Sequence, residues 1–392
     1  MPTAGIPQPR RLVSIAHSYV VGMNRRLAHE LAREGAGRWE VTAVAPSTFQ
    51  ADRRTLRLNL ADDEPCPVEG VPVHFSRSIH LMLYGRRLRT LLHNLPADLV
   101  HCWEEPYILA GGQVARWTPK SSALVYYLCQ NIPKHYPPPF SWVEHACRDR
   151  CSGWIAMGQT VLDAQRARGY HQKPHRVITP GVDVNHFQPD PAARSAIRQR
   201  LAWSTNGPPV VGFLGRLVPE KGLDLLTQAL DAQTAPWRAL FVGAGPLESK
   251  LRHWASRHPG QVALATNVPH VEVPAYLNAM DLLAAPSQTT PFWREQFGRM
   301  LIEAFACGLP VLASKSGEIP HVVADPAQLL NESDLPAWTS ALATLIDNPT
   351  LRQSLSRRNL DRARTHFAWP QIARAHLAFF DQLLDAPSPR DP

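Results

Sequence analysis

The chain has 392 residues, 44% of them hydrophobic and 19% charged, which excludes a disordered or collagen-like polymer and leaves length for two ordinary domains. Its formal net charge of +8 favours anionic partners: a nucleotide, a phosphorylated acceptor or the acidic face of a membrane. No Lys/Arg block and no aromatic-basic signature of the ribonucleoprotein type accompanies that charge, so nucleic acid is not expected among the partners.

Arg10-Arg11 ahead of the apolar stretch 12–23 has the outline of a secretory leader. His17, Ser18 and Tyr19 interrupt it, Arg25 and Arg26 follow at once, and no small-residue cleavage site appears, so a first β-strand is expected instead. Six cysteines dispersed along a long chain fit reduced, buried thiols, and no apolar run reaches the roughly 18 residues of a membrane span. The expected location is the cytoplasm, with the charge leaving room for peripheral contact at the inner membrane face.

Short apolar runs then alternate with amphipathic helical patterns, the signature of βα units and parallel sheets. Strands are expected at 11–16, 41–45, 99–102, 123–129 and 153–157, with helices at 24–34, 85–94, 108–115, 141–151 and 159–168. A strand ending in Pro180-Gly181 and a polar stretch up to Pro208 mark the linker between domains. The second half restarts with a strand at 210–214, a helix at 222–230 and a strand at 238–242. It continues through 248–257, 262–266, 273–279, 282–285, 299–306 and 311–313. Finally Trp369, Ile372, His376, Phe379, Phe380, Leu383 and Leu384 fall at helical spacing, so the chain ends in a helix that needs an apolar surface. The domains implied are 1–183, 184–368 and a terminal helix with tail at 369–392.

Three segments of the second half carry chemistry. Gly298 precedes the helix 299–306, whose start offers unpaired N–H groups to a phosphate. Glu295 stands in the loop before that helix and Glu303 a turn and a half inside it, a separation at which two carboxylates can accept hydrogen bonds from two different sugars. Alone, both glutamates would read as solvated surface residues. Upstream, a strand runs into Gly215-Arg216 and then Lys221-Gly222, supplying a planar fork and a point charge for a pyrophosphate. Alone, this basic pair reads equally well as a helix-start salt bridge to Glu220 or Asp224. The spacing is not that of a P-loop, and neither half shows Gly-x-Gly-x-x-Gly after its first strand, which argues against a dinucleotide-dependent oxidoreductase. The third segment, Val242-Gly243-Ala-Gly245-Pro, is weak by itself.

In this order, Gly-Arg-x4-Lys-Gly, Val-Gly-x-Gly-Pro, and Glu-x7-Glu followed by Ala-x-Gly-x-Pro-Val resemble the GT4 family of retaining glycosyltransferases, over residues 177–323. The resemblance implies an α/β protein of GT-B architecture. Two Rossmann-like domains then carry parallel sheets facing across a cleft, acceptor side first and nucleotide-sugar donor side second, and the terminal helix crosses back to the first domain. It also implies that Arg216 and Lys221 hold the donor diphosphate and that Glu295 contacts donor sugar hydroxyls. Backbone groups of Phe297, Gly298, Arg299 and Met300 would lie close to sugar and phosphate, Glu303 would bind the ribose, and Val268 and His270 would lie at the base. Gly215, Gly243 and Gly245 complete that donor side.

The first half departs from the family pattern. Its first loop, His17 to Arg25, has the single glycine Gly22, and the strand end where the family carries a histidine reads Gln130-Asn131. His101, Glu104 and Glu105 follow another strand end and are expected to face the cleft. The resemblance implies transfer of a hexose from a UDP- or GDP-sugar to a carbohydrate or glycolipid hydroxyl with retained anomeric configuration, and because no Asp-x-Asp occurs, no metal and no other cofactor is expected. The rival expectation is a nucleotide-sugar-binding protein that has lost catalysis.

Overall fold

A computed structural model describes residues 8–51 and 55–386. These form two compact units, one comprising the residues up to Thr179 together with those from Trp369 onward, the other Pro180–Ala368. Among the described residues no helix is long and apolar enough to cross a membrane.

The first unit is built on seven parallel strands: β1 (Arg10–Ile15), β2 (Trp39–Pro46), β3 (Val68–Val71), β4 (Leu99–Cys102), β5 (Ala123–Leu128), β6 (Gly153–Ala156) and β7 (His175–Val177). They lie in the order β7-β6-β5-β4-β1-β2-β3. The central strands are buried along their whole length, since helices cover both faces; hence their unbroken apolar runs. Edge strand β3 went unpredicted because Val68–Val71 is half-buried and carries a glutamate and a glycine. The helix Trp369–Asp385 belongs to this unit. It buries Ile372, Ala373, His376, Leu377, Phe379 and Phe380. Its polar side ties back through Arg374 to Glu34 at 2.6 Å and Asp381 to Arg10 at 2.5 Å.

The second unit has six parallel strands: β8 (Val210–Leu214), β9 (Arg238–Val242), β10 (Val262–Ala265), β11 (Leu282–Ala285), β12 (Val311–Ser314) and β13 (Leu329–Leu330). Their order is β10-β9-β8-β11-β12-β13. In both sheets the first strand of the unit lies between its second strand and its fourth. Strand order therefore reverses between β8 and β11, and the crevice at the carboxyl ends of strands at such a reversal is where such sheets bind ligands. One face of this sheet packs Val211, Phe213, Leu226, Trp237, Phe241, Trp254 and Trp338 into a single core.

The polar stretch expected to be only a linker contains the helix Pro191–Arg200. Asp190 caps it by accepting from the amides of Ala192 and Ala193, and Arg194 and Arg198 both pair with Asp281 at 2.6 Å. Its few apolar positions hid it, because ion pairs rather than an apolar stripe anchor it to the unit.

Candidate functional site

At the crevice of the second unit the chain after β8 turns through Gly215 and Arg216 and enters the helix Leu223–Asp231 at Gly222. Gly222 has φ +69°, and a Cβ there would lie 1.9 Å from the Pro286 carbonyl oxygen, so only glycine lets the loop leaving β8 meet the one leaving β11. That contact brings Lys221 to Glu295. The Lys221 ammonium donates to Glu295 Oε2 at 2.5 Å, Ser287 Oγ donates to the same oxygen at 2.9 Å, and the Trp293 ring centre lies 5.2 Å from Lys221 Nζ. Both charged residues are buried, 9% and 7% exposed. A buried ammonium and carboxylate persist only when paired. The backbone carbonyl of Glu295 accepts from the Glu318 amide at 3.0 Å, which fixes the loop from the other side.

The alternative partners for the basic pair divide differently. Arg216 stands 3.7 Å from Glu220 with its side chain mostly in solvent, while Asp224 pairs with Lys250 and not with Lys221. Arg216 is thus available to a ligand, and Lys221 reaches one only by sharing or leaving Glu295.

The second carboxylate, Glu303, lies inside the helix Arg299–Ala306, whose N-cap is Gly298. It is 7% exposed and accepts from His270 Nε2 at 3.0 Å; His270 in turn meets Phe187 edge-on at 5.4 Å. His270 opens the short turn after the half-buried Val268, beyond the end of β10. Phe297 is buried against Phe367, Arg299 is exposed and Met300 is half-buried, so around this helix start Arg299 is the side chain most open to an anion. Gly243 follows β9 at φ +148°, and a Cβ there would stand 1.8 Å from the Gly215 carbonyl oxygen; Gly245 is packed against the Leu217 backbone. These glycines bring the loops after β8 and β9 into backbone contact.

In the first unit His17 donates from its backbone amide and from Nδ1 to the buried Glu104, at 2.6 and 2.7 Å, and the Tyr84 hydroxyl donates to the same carboxylate at 2.6 Å. Burial alone would raise Glu104, but the charge and hydrogen bonds of His17, with the Tyr84 bond, hold it below the usual carboxylate range. Burial pulls His17 down, and Glu104 more than offsets this, so the imidazole titrates above its ordinary value. Gly22 starts the turn Gly22–Arg25, which buries Arg25 against Glu64. Glu105 accepts from the Cys129 amide at 2.8 Å, and burial, opposed by that bond and by Arg168, pushes its carboxyl up to about 7. Gln130 donates to the Tyr136 hydroxyl at 3.3 Å and accepts from the Ile132 amide at 3.1 Å, while Asn131 is buried.

His101 does not face a cleft. It lies within β4, fully buried, its ring 5.4 Å from His376 and 5.2 Å from Phe380. The strand runs one residue beyond it and turns the side chain under the terminal helix, where imidazole serves as core. Ser287 and Trp293 were absent from the sequence reading. Position beyond the end of β11 is the signal that could have found Ser287; Trp293 carried none, since an aromatic in a loop has no periodicity.

Two family models match the chain: Glycosyltransferase Family 4 over residues 23–186, and Glycosyl transferases group 1 over residues 194–362. A GDP-mannose-dependent alpha-(1-6)-phosphatidylinositol monomannoside mannosyltransferase of Mycolicibacterium smegmatis is 36% identical over 181 residues, 44% of this chain and 47% of that protein. A lipopolysaccharide core biosynthesis mannosyltransferase of Rhizobium meliloti is 28% identical over 260 residues, 61% of this chain and 71% of that one. The chain thus spans about half the length of the first of these relatives. Among solved structures, Anabaena HepE in complex with UDP superposes with a TM-score of 0.72 at 20% identity, covering 95% of this chain and 100% of that one. This likeness shows the GT-B fold.

Proposed function

Since the chain belongs to glycosyltransferase family 4, we propose that it transfers a hexose from a nucleoside diphosphate sugar to an acceptor hydroxyl, with retained anomeric configuration and no metal ion. Lys221 beside Glu295 at the crevice carries this reading: a cation for the diphosphate and a carboxylate for sugar hydroxyls stand 2.5 Å apart. GDP-mannose is the proposed donor, because both relatives described above are mannosyltransferases and one is GDP-mannose-dependent. The acceptor is a hydroxyl of a carbohydrate or glycolipid, as those relatives' names suggest.

The leaving diphosphate gains charge as the glycosidic bond lengthens. Lys221, Arg216 and the start of the helix Arg299–Ala306 are preorganised donors for that charge, and such groups stabilise the transition state more than the ground state. Glu303 takes the ribose hydroxyls and His270 lies by the base. The departing phosphate oxygen itself removes the acceptor proton on the same face of the sugar, in place of a protein nucleophile. Arg216 and Lys221 take the part a divalent cation plays elsewhere. The protein works in the cytoplasm, and its charge of +8 supports peripheral contact with the anionic inner membrane face.

A nucleotide-sugar-binding protein without catalysis is the second reading, favoured by Gln130 at the strand end where the family carries a histidine. Turnover separates the two. GDP release from GDP-mannose with octyl α-D-mannopyranoside as acceptor, together with an α-linked product by NMR, supports the transferase. Saturable GDP-mannose binding with no release across a panel of alkyl glycosides supports the binding protein.

A further inference from the structure

Between β11 and Glu295 the chain makes a short excursion, Gln288 to Arg294, whose build is rigid. Gln288 donates from its backbone to the Glu220 carbonyl at 2.8 Å and from its side chain to the carbonyls of Pro286 and Glu332, each at 2.7 Å. The Thr289 hydroxyl meets Ser316 Oγ at 3.0 Å. Thr290, Pro291, Phe292 and Trp293 then close a tight turn. The Thr290 amide donates to the Trp293 carbonyl at 2.7 Å, and Thr290 Oγ1 accepts from the amides of Phe292 and Trp293 at 3.3 and 3.0 Å. Proline at the second position presets its φ for such a turn.

The turn sends its two aromatic rings in different directions. Trp293 folds back over Lys221. Phe292 points outward and is 84% exposed, the most exposed large hydrophobic side chain among the described residues. Scattered exposed hydrophobics on a surface are ordinary. Phe292 differs because the three hydrogen bonds above hold its turn, and because it stands three residues from the carboxylate assigned to the donor sugar. The turn fixes the backbone that carries this ring three residues from Glu295, so a partner that covers the phenyl gains its apolar burial on a backbone already set.

We infer that Phe292 is a platform for the acceptor: the C–H-bearing face of the acceptor sugar ring stacks on the phenyl face. This rests on the transferase reading above. Donor atoms are not the match for Phe292, since Lys221 and Glu295 lie on the Trp293 side of the turn and take charged and hydroxyl groups. A pyranose presents one apolar C–H face to an aromatic ring while its hydroxyls stay in water, which suits a ring exposed at a rim.

The test uses octyl α-D-mannopyranoside, kept below its micelle-forming concentration, with the full chain and saturating GDP. Saturation-transfer NMR reads which protons of the probe lie against the protein. The expected result is transfer strongest at the sugar-ring C–H protons, reduced at least fivefold in Phe292→Ala and retained in Phe292→Tyr. Transfer strongest at the octyl chain, unchanged transfer in Phe292→Ala, or no transfer to the unaltered protein overturns the inference. Calorimetric titration of GDP alone runs in parallel. Equal GDP affinity in the unaltered protein and Phe292→Ala confines the effect to the acceptor, a matching loss of GDP affinity in Phe292→Ala overturns the inference, and no GDP binding to the unaltered protein overturns the donor-site reading instead.

Discussion

Replacing Lys221 by methionine keeps most of the side-chain stem and removes the ammonium. At 2.5 Å from Glu295 the gross attraction is about 7 kcal/mol for an effective dielectric near 20, much of it offset by desolvation of the two ions. Removing one partner exposes that offset, because the carboxylate of Glu295, 7% exposed, loses its cation. A fully buried pair broken this way costs about 3–5 kcal/mol; the residual exposure here lowers the expected loss to about 2–4 kcal/mol. Glu295→Gln strands the ammonium in the same way, whereas the double variant strands neither. A double-mutant cycle followed by urea denaturation should therefore show the double variant about 2 kcal/mol or more above the sum of the singles. Additivity within about 0.5 kcal/mol would refute the claim that these two groups form one buried unit in the ligand-free protein.

Turnover gives a different readout of the same lysine: Lys221→Ala should lower kcat by roughly 10²–10³, with only partial recovery in Lys221→Arg, and near-normal kcat in a folded variant rules out a part in leaving-group departure. Activity measured in EDTA should equal activity without it, and loss that Mg²⁺ or Mn²⁺ restores contradicts the metal-independent site. The third expectation concerns His376, whose Nδ1 donates to the Ile372 carbonyl at 2.8 Å and whose burial lowers it to about 4. Unfolded histidine titrates near 6.5, so the unfolded chain takes up a proton that the fold refuses; stability is full above that value and falls as pH drops from it toward 4. By pH 5 His376 alone should account for a loss of roughly 2 kcal/mol. Buried His101, also held well below its ordinary range, adds to the same slope. Urea midpoints at pH 7 and pH 5 for the unaltered chain and His376→Leu check this, and equal slopes for both proteins would remove the histidine from the account.

The second unit was legible because its signals are local. β8 and β11 are unbroken apolar runs, and Gly222, Gly243 and Gly245 sit where backbones approach too closely for a side chain. What sequence could not supply was pairing across distance. Lys221 and Glu295 are 74 positions apart, and nothing in either neighbourhood says that they meet; the nearer Glu220 and Asp224 looked like equal partners. The helix Pro191–Arg200 escaped for a related reason, since Arg194 and Arg198 anchor it to Asp281 more than 80 positions away. His101 was misplaced although its strand was expected with the bounds observed: polar identity suggested a side chain at the ligand-facing end, while the strand buries it against His376 and Phe380. Phe292 carried no signal at all, since a solvent-facing aromatic in a loop acquires meaning only from what stands beside it.

Calorimetric titration of GDP-mannose into the full chain, with and without Glu303→Ala, tests most directly whether the second unit is a nucleotide-sugar site. Saturable binding near one equivalent, unchanged by EDTA and weakened at least tenfold by Glu303→Ala, is the predicted result. Absence of saturable heat with both GDP- and UDP-sugars, or undiminished affinity in folded Glu303→Ala, contradicts it.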